Sequence, residues 1–378
     1  MSAIARPPEG GARLSWGGGR VGDRRAIKIL TAFLLWIVCA ATQAEDILHL
    51  YNWNNYISDE TMARFQKECK CRVEQDFYSD NEELLAKLDA GAVGYDILVP
   101  TGYAVEALIK RHALAPLEKD RLPHFKNIKP EYLNTWYDPG NQYSVPYAYT
   151  VTLIGYNATK LRELGLPTDT WALIFEPKYL EKIKGKVSVL DSQRELFGAA
   201  LKYLGYSVQS RNPAEWEKAK ELIIRAKPYW ATFSNSTYIK DLAIGNLWVA
   251  HGYSNDMFRA REDAKEAKRK FEIGFSTPKE GAVLAVDNWV LHKDGPRPDL
   301  ARKFIDFMLD GKNAGDVSNL IGAGNPNAAA MPQINPLIGR DPSIFPTPDD
   351  FKRLEMLRDY DPKSRRTLSR MWTEIQVR

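Results

Sequence analysis

From residue 47 onward the apolar side chains switch repeatedly between strand-like alternation and helical spacing, and few folds tolerate that rhythm. An apolar strand candidate at 47–51 leads into a helix pattern carrying Met62 and Phe65. Residues 73–77 form a second strand, and Leu84, Leu85 and Leu88 mark a second helix that ends at Gly91. Residues 95–99 (YDILV) are a short apolar strand followed by another helix. This βαβαβ order predicts an α/β domain with parallel strands and right-handed crossovers. A second such unit begins after Pro146, with strand candidates at 151–156, 186–190 and 247–251 and helices at 195–204 and 214–227.

The segment before this rhythm is different in kind. Arg24, Arg25 and Lys28 precede an apolar run at 29–41, and small residues follow up to Ala44. The run is shorter than the roughly 20 residues that span a bilayer, so it reads as a secretory signal cleaved near Ala44. The long Gly-rich stretch ahead of it points to a true start near Val21. Val38 is too large to precede a lipidated Cys39, and the adjacent arginines are common in ordinary signals. Of the chain's 52 Lys plus Arg and 48 Asp plus Glu, six basic and two acidic residues lie in the first 44, so the remainder is balanced at 46 and 46. The net charge of +4 therefore belongs to the export segment and says nothing about a nucleic-acid or membrane partner. The one dense charge run, residues 259–270 (RAREDAKEAKRK), alternates in sign without interleaved aromatics and reads as a solvated helix face.

About 334 residues remain after the signal, more than one core usually holds, so two domains are expected. No Gly/Ser linker joins them; the chain is expected to cross between lobes along extended segments near 147–150 and 284–286. Cys69 and Cys71 are separated by one residue and are expected to be unbridged packing or surface thiols. No Cys/His cluster, Walker motif or GxSxG is present, and the five histidines lack metal-ligand spacing. Neither a metal nor a cofactor nor a catalytic residue is expected. A hydrolase built on two facing carboxylates among Glu195, Asp256 and Asp287 stays open as the alternative of a different class.

In open α/β sheets ligands bind beyond the carboxyl ends of strands. After the first strand come Trp53, Asn54, Asn55 and Tyr56, and after the third come Thr101 and Tyr103, polar and aromatic together as a ligand cleft requires. In the second unit a strand ends in Asp191-Ser192-Gln193-Arg194-Glu195. Ser192 with Glu195 also makes a capping box, so two readings of Glu195 stand. Asp256 follows Tyr253 in the first turn of a helix, where its charge favours the helix dipole with or without a ligand. Asp287 interrupts an apolar strand (VLAVDNWVL). A carboxylate there costs several kcal/mol unless a cation or donors meet it, or unless a bulge exposes it.

The stretches YNWNNYI at 51–57, NEEL at 81–84, GYDILVP at 94–100, IGYN at 154–157 and PKEGA at 278–282 resemble, in order, the periplasmic polyamine-binding proteins of ABC importers, and YLG at 203–205 with DLAIG at 241–245 resembles their putrescine-binding branch. The resemblance implies a two-lobed type II periplasmic-binding-protein fold, with a ligand cleft between lobes 45–148 plus 285–327 and 149–284 plus 328–378. It implies a monomeric periplasmic receptor that passes putrescine, spermidine or a related amine to an inner-membrane ABC permease, without turnover. A sensor of the same fold for another ligand is the nearest alternative. Carried over by position, Trp53, Asn54, Asn55, Tyr56, Thr101 and Tyr103 line one lobe, Asp191, Glu195, Tyr253 and Asp256 the other, and Asp287 stands beside the crossover. The family's aromatic residues are replaced by Ala285 and Ala323, which predicts a wider pocket suited to agmatine, spermidine or an acylated polyamine. Trp289, two residues beyond Asp287, is expected to face the same way and fill part of the gap.

Overall fold

The computed structural model describes residues 46–377, so the expectations for the export segment and Cys39 lie outside the described residues. The first unit unfolds in the chain order β1 (Ile47–Trp53), α1 (Asp59–Cys69), β2 (Arg72–Tyr78), α2 (Asn81–Asp89), β3 (Ile97–Leu98) and α3 (Gly102–Lys110). β1 is central and parallel to β2 on one side and β3 on the other, as the alternation predicts. Local chemistry sets the helix starts. Ser58 accepts from the Thr61 N–H ahead of α1, and Asp80 accepts from the Glu83 N–H ahead of α2 while Glu83 reaches back to the Ser79 N–H. Met62 and Phe65 face the core, as their spacing requires.

One expectation fails at the end of α1. Cys69 and Cys71 form a disulfide, with their Cα atoms 5.2 Å apart. Lys70 between them adopts the left-handed conformation at φ 56°, ending the helix and folding the chain back, which brings two cysteines one residue apart within bonding range. An extended spacing would not have done so.

The remaining elements are β4 (Leu114–Ala115), β5 (Ser144–Asn157), β6 (Val187–Val189), α4 (Gln193–Tyr203), α5 (Pro213–Ala226), β7 (Thr232–Phe233), α6 (Thr237–Ile244), β8 (Val249–Tyr253), α7 (Ser254–Glu266), β9 (Ile273–Ser276), β10 (Ala282–His292), α8 (Pro298–Leu309), α9 (Gly311–Ile321), β11 (Leu354–Glu355) and α10 (Pro362–Val377), with short helical turns between them. The main path of the sheet runs β2-β1-β3-β10-β5-β8-β6-β7. β6 is parallel to both β7 and β8. β5, however, is antiparallel to β10, β8 and β9, so the second unit is not the all-parallel repeat of the first that its alternation predicts. The fourteen residues of β5 are long enough to change partners. Its first half pairs with β10 up to Val151, and from Thr152 it pairs with β8. Two groups of strands thus share one long antiparallel pair.

Within that pair the register shifts between Asp287 and Asn288, because Tyr147 is an extra residue on the β5 side. Asp287 is held beside the first unit at this point, by a bridge to Thr101 and by the Asn288 N–H donating to the Pro100 carbonyl at 2.9 Å. The charged run at 259–270 falls on α7 and beyond, where Arg259 pairs with Asp263 at 2.8 Å. Among the described residues no helix is long and apolar enough to cross a membrane, and no cluster of His, Cys, Asp or Glu is placed to hold a metal ion.

Candidate functional site

A cavity of about 420 Å³ opens where β5 and β10 change partners, walled by strand ends and helix starts from both groups. Asp287 is its most enclosed acid, 4% exposed. Thr101 Oγ1 donates to Asp287 Oδ1 at 2.8 Å and the Tyr56 hydroxyl donates to Oδ2 at 3.2 Å. Thr101 sits at the N-cap of α3 yet makes no cap with its side chain, because that hydroxyl serves Asp287 while accepting from Asn81 Nδ2 at 3.0 Å. Burial pushes Asp287 up to about 7 against the opposing pull of these hydroxyls and of the nearby Trp53 indole. The bulge does not expose the carboxylate to bulk water; it turns it into the cavity.

Glu195 resolves its two readings. Ser192 makes no side-chain cap to α4. Instead the Glu195 carboxylate is buried and accepts from Thr152 Oγ1 at 2.7 Å. Burial pushes it up to about 7 too, with the Thr152 hydrogen bond opposing. Asp256, in the first turn of α7, accepts from the Tyr238 hydroxyl and from Asn255 Nδ2 at 3.2 Å. Burial raises it to about 6. Tyr238 reaches it by lying against Gly252, where a Cβ would come within 2.6 Å of the ring. No ion pair joins Asp256, Asp287 or Glu195 to a basic side chain among the described residues.

Aromatic groups line the same space. Trp53 lies 4.4 Å from the Tyr78 ring and 6.3 Å from Tyr56, centroid to centroid. Tyr253 and Tyr103 complete the wall, and burial holds both phenols well above their usual range, so they stay neutral. Trp53 Nε1 and Asn255 Oδ1 are buried on this wall without a hydrogen-bond partner. The arrangement offers three unpaired acids and several ring faces to a small cation with an apolar body.

Nine of the twelve residues singled out from the sequence meet at this cavity: Trp53, Asn54, Tyr56, Thr101, Tyr103, Glu195, Tyr253, Asp256 and Asp287. Three do not. Asn55 takes a left-handed turn at φ 61° and is exposed, outside the lining. Asp191 lies two residues past β6, is exposed, and accepts from Gln376 Nε2 of α10 at 3.0 Å. Trp289 is fully buried one ring behind the wall, because the extra residue Tyr147 brings its ring 4.1 Å from Trp289 and 6.2 Å from Tyr56. Of the two alanines where the resemblance implies aromatic residues, Ala285 lines the cavity and Ala323 is fully buried outside the lining.

The sequence reading missed Asn81, Glu82, Arg194 and Asn255, all of which line the cavity. Glu82 lay inside a quoted motif and Arg194 directly precedes Glu195, but neither has a signal of its own before the helices α2 and α4 are brought together. The Tyr103 hydroxyl donates to both Glu82 oxygens at 3.2 and 3.0 Å, and Arg194 Nε donates to Glu82 Oε1 at 2.9 Å.

Residues 60–346 match the family of bacterial extracellular solute-binding proteins. A putrescine/cadaverine-binding protein of Pseudomonas aeruginosa is 52% identical over 350 residues, covering 93% of this chain and 99% of its own length. The putrescine-binding periplasmic protein PotF of Escherichia coli is 36% identical over 363 residues, covering 94% and 98%. Among solved structures, the spermidine/putrescine ABC transporter substrate-binding protein PotD of Streptococcus pneumoniae superposes with a TM-score of 0.76 at 26% identity, covering 88% of this chain and 99% of that one. The Tp0655 (TpPotD) lipoprotein of Treponema pallidum gives 0.77 at 28%, covering 88% and 100%. With the strand-end cavity, the partner-switching β5 and β10, and these likenesses along nearly the whole described chain, the protein belongs to the bacterial extracellular solute-binding proteins and carries their two-lobed α/β fold.

Proposed function

We propose that the protein captures a small aliphatic diamine or related polyamine outside the cytoplasm and hands it to an inner-membrane ABC permease, with no chemical turnover. The observation that carries this reading is the trio Asp287, Glu195 and Asp256, three acids at one cavity beside Trp53, Tyr56 and Tyr253 with no protein cation paired to them among the described residues. Ammonium groups would meet the carboxylates through charge-assisted hydrogen bonds, and the methylene chain would lie against the rings. The names carried by the relatives, putrescine/cadaverine and putrescine, support the same ligand class. Ala285 leaves room for a bulkier cation such as agmatine, while Ala323, buried outside the lining, adds none.

In this reading the signal is removed near Ala44 and the receptor works as a periplasmic monomer. Residues 45–148 with 285–327 form one lobe and 149–284 with 328–378 the other. The test is isothermal titration of the signal-free protein with putrescine, cadaverine, agmatine and spermidine. Micromolar or tighter binding of at least one is expected, and no binding of any at millimolar concentration overturns the reading.

A further inference from the structure

One end of the cavity already contains a cation of the protein's own. Arg194, at the start of α4, has a side chain only 12% exposed. Its guanidinium stacks 4.2 Å from the Tyr103 ring centroid and 5.0 Å from that of Tyr360, donates from Nε to Glu82, and donates from Nη1 to the Arg358 carbonyl at 3.0 Å. Such a clamp fixes the charge in place.

The acids of the cavity are held by different partners. Asp287 accepts from the Tyr56 hydroxyl and from Thr101, Asp256 from the Tyr238 hydroxyl, and Glu195 from Thr152, which pairs across the sheet with Tyr253. Glu82 instead accepts from the Tyr103 hydroxyl and the Arg194 guanidinium, with its own side chain 57% exposed at the rim. Of these four acids lining the cavity, Glu82 alone is paired with a cation among the described residues.

We infer that Arg194 is a selectivity residue: as a resident cation on Glu82 it ends the row of acids available to a ligand, so the cavity favours molecules with two cationic ends over those with a third. This rests on the cation-binding reading above. A diamine places its two ammonium groups among Asp287, Asp256 and Glu195, the acids left without a cation. The further ammonium of a triamine would approach a guanidinium at the position where it needs a carboxylate, and like charges repel across a poorly screened site.

The test compares putrescine and spermidine, titrated calorimetrically into the signal-free protein and three variants. Arg194→Gln releases Glu82 and is expected to raise the affinity for spermidine relative to putrescine by about tenfold or more. Glu82→Gln leaves the guanidinium without its carboxylate and is expected to shift the ratio the opposite way by at least about threefold, an independent readout should the first variant fold poorly. The double variant is expected to return the ratio towards that of the wild type. An unchanged ratio in Arg194→Gln, or equal losses for both ligands in both single variants, overturns the inference and makes Arg194 a structural tie. Wild-type protein that binds neither amine at millimolar concentration removes the cation-binding reading and this inference together.

Discussion

Asp138 and Asp287 are buried to almost the same degree, 2% and 4% exposed, yet their surroundings differ completely. Asp138 sits in the loop before β5 and accepts from the N–H groups of Gln142, Tyr143 and Ser144 at 3.0, 3.0 and 2.8 Å, and from the Ser144 hydroxyl at 2.7 Å. Those donors come from one short stretch of chain, and the carboxylate organises it. Asp287 accepts from side chains, the hydroxyls of Thr101 and Tyr56, on residues 186 and 231 positions away in the chain. Burial alone does not mark a ligand site. What distinguishes Asp287 is that its enclosure lacks the backbone N–H donors that would stabilise its charge, and burial raises its proton affinity.

The largest expected effect at the cavity side of this comparison is that of pH on ligand binding. Burial puts Asp287 and Glu195 at about 7 and Asp256 at about 6 in the ligand-free fold. A dication needs these groups ionised, so binding releases protons below neutrality, and affinity is expected to fall about 100-fold from pH 8 to pH 5.5. Titrations in buffers of different ionisation heat measure the protons directly, and a flat profile would take Asp287, Glu195 and Asp256 out of contact with the ligand's charges. The stability of the ligand-free protein moves the other way. An acid whose folded value lies above its unfolded one binds more protons in the fold, so its stabilising contribution is complete below about pH 4 and lost as the pH rises through about 7. The melting temperature without ligand should therefore rise on acidification from pH 8 to pH 5, and the gain on adding ligand should shrink.

Asp287→Asn comes next. It removes one charge-assisted contact worth roughly 1.5–3 kcal/mol, so affinity for a bound diamine should drop about 10- to 100-fold while the fold is kept. Unchanged affinity would take Asp287 out of the site. Tyr238→Phe, which deletes a hydroxyl that orients Asp256, should weaken binding only about threefold to tenfold. Asp138→Asn is expected to leave affinity unaltered and to lower the unfolding free energy by about 1–3 kcal/mol in urea titration, because backbone donors lose their charged acceptor. A loss of affinity there as large as at Asp287 would erase the comparison.

Much of this site was legible in one dimension because strand ends are. The polar and aromatic residues after β1 and β3, and the acids after β6 and β8, stand where parallel strands deliver side chains to a cleft, and nine of twelve converge. The failures have local causes that hydrophobic period does not carry. A left-handed residue after α1 paired Cys69 with Cys71, and another at Asn55 turned that side chain out. A one-residue bulge on β5 set Tyr147 between Trp289 and the cavity wall. For Glu195 the capping box was a fair local reading, and a hydroxyl 43 residues away in the chain decided against it.

What the sequence determined by itself is the α/β architecture, the strand ends where a ligand would be held, and an acidic residue in an apolar strand that required compensation. Periodicity and desolvation cost are properties of neighbours along the chain, and they can be read there. What only the tertiary structure decided is which acids remain without a cation. Glu82 and Glu195 each stand near a helix start with no distant partner visible in the sequence, but folding sets Arg194 on the first and Thr152 on the second. Charge compensation acts between atoms a few ångströms apart, whatever their separation along the chain, so it becomes visible only once the chain has closed on itself.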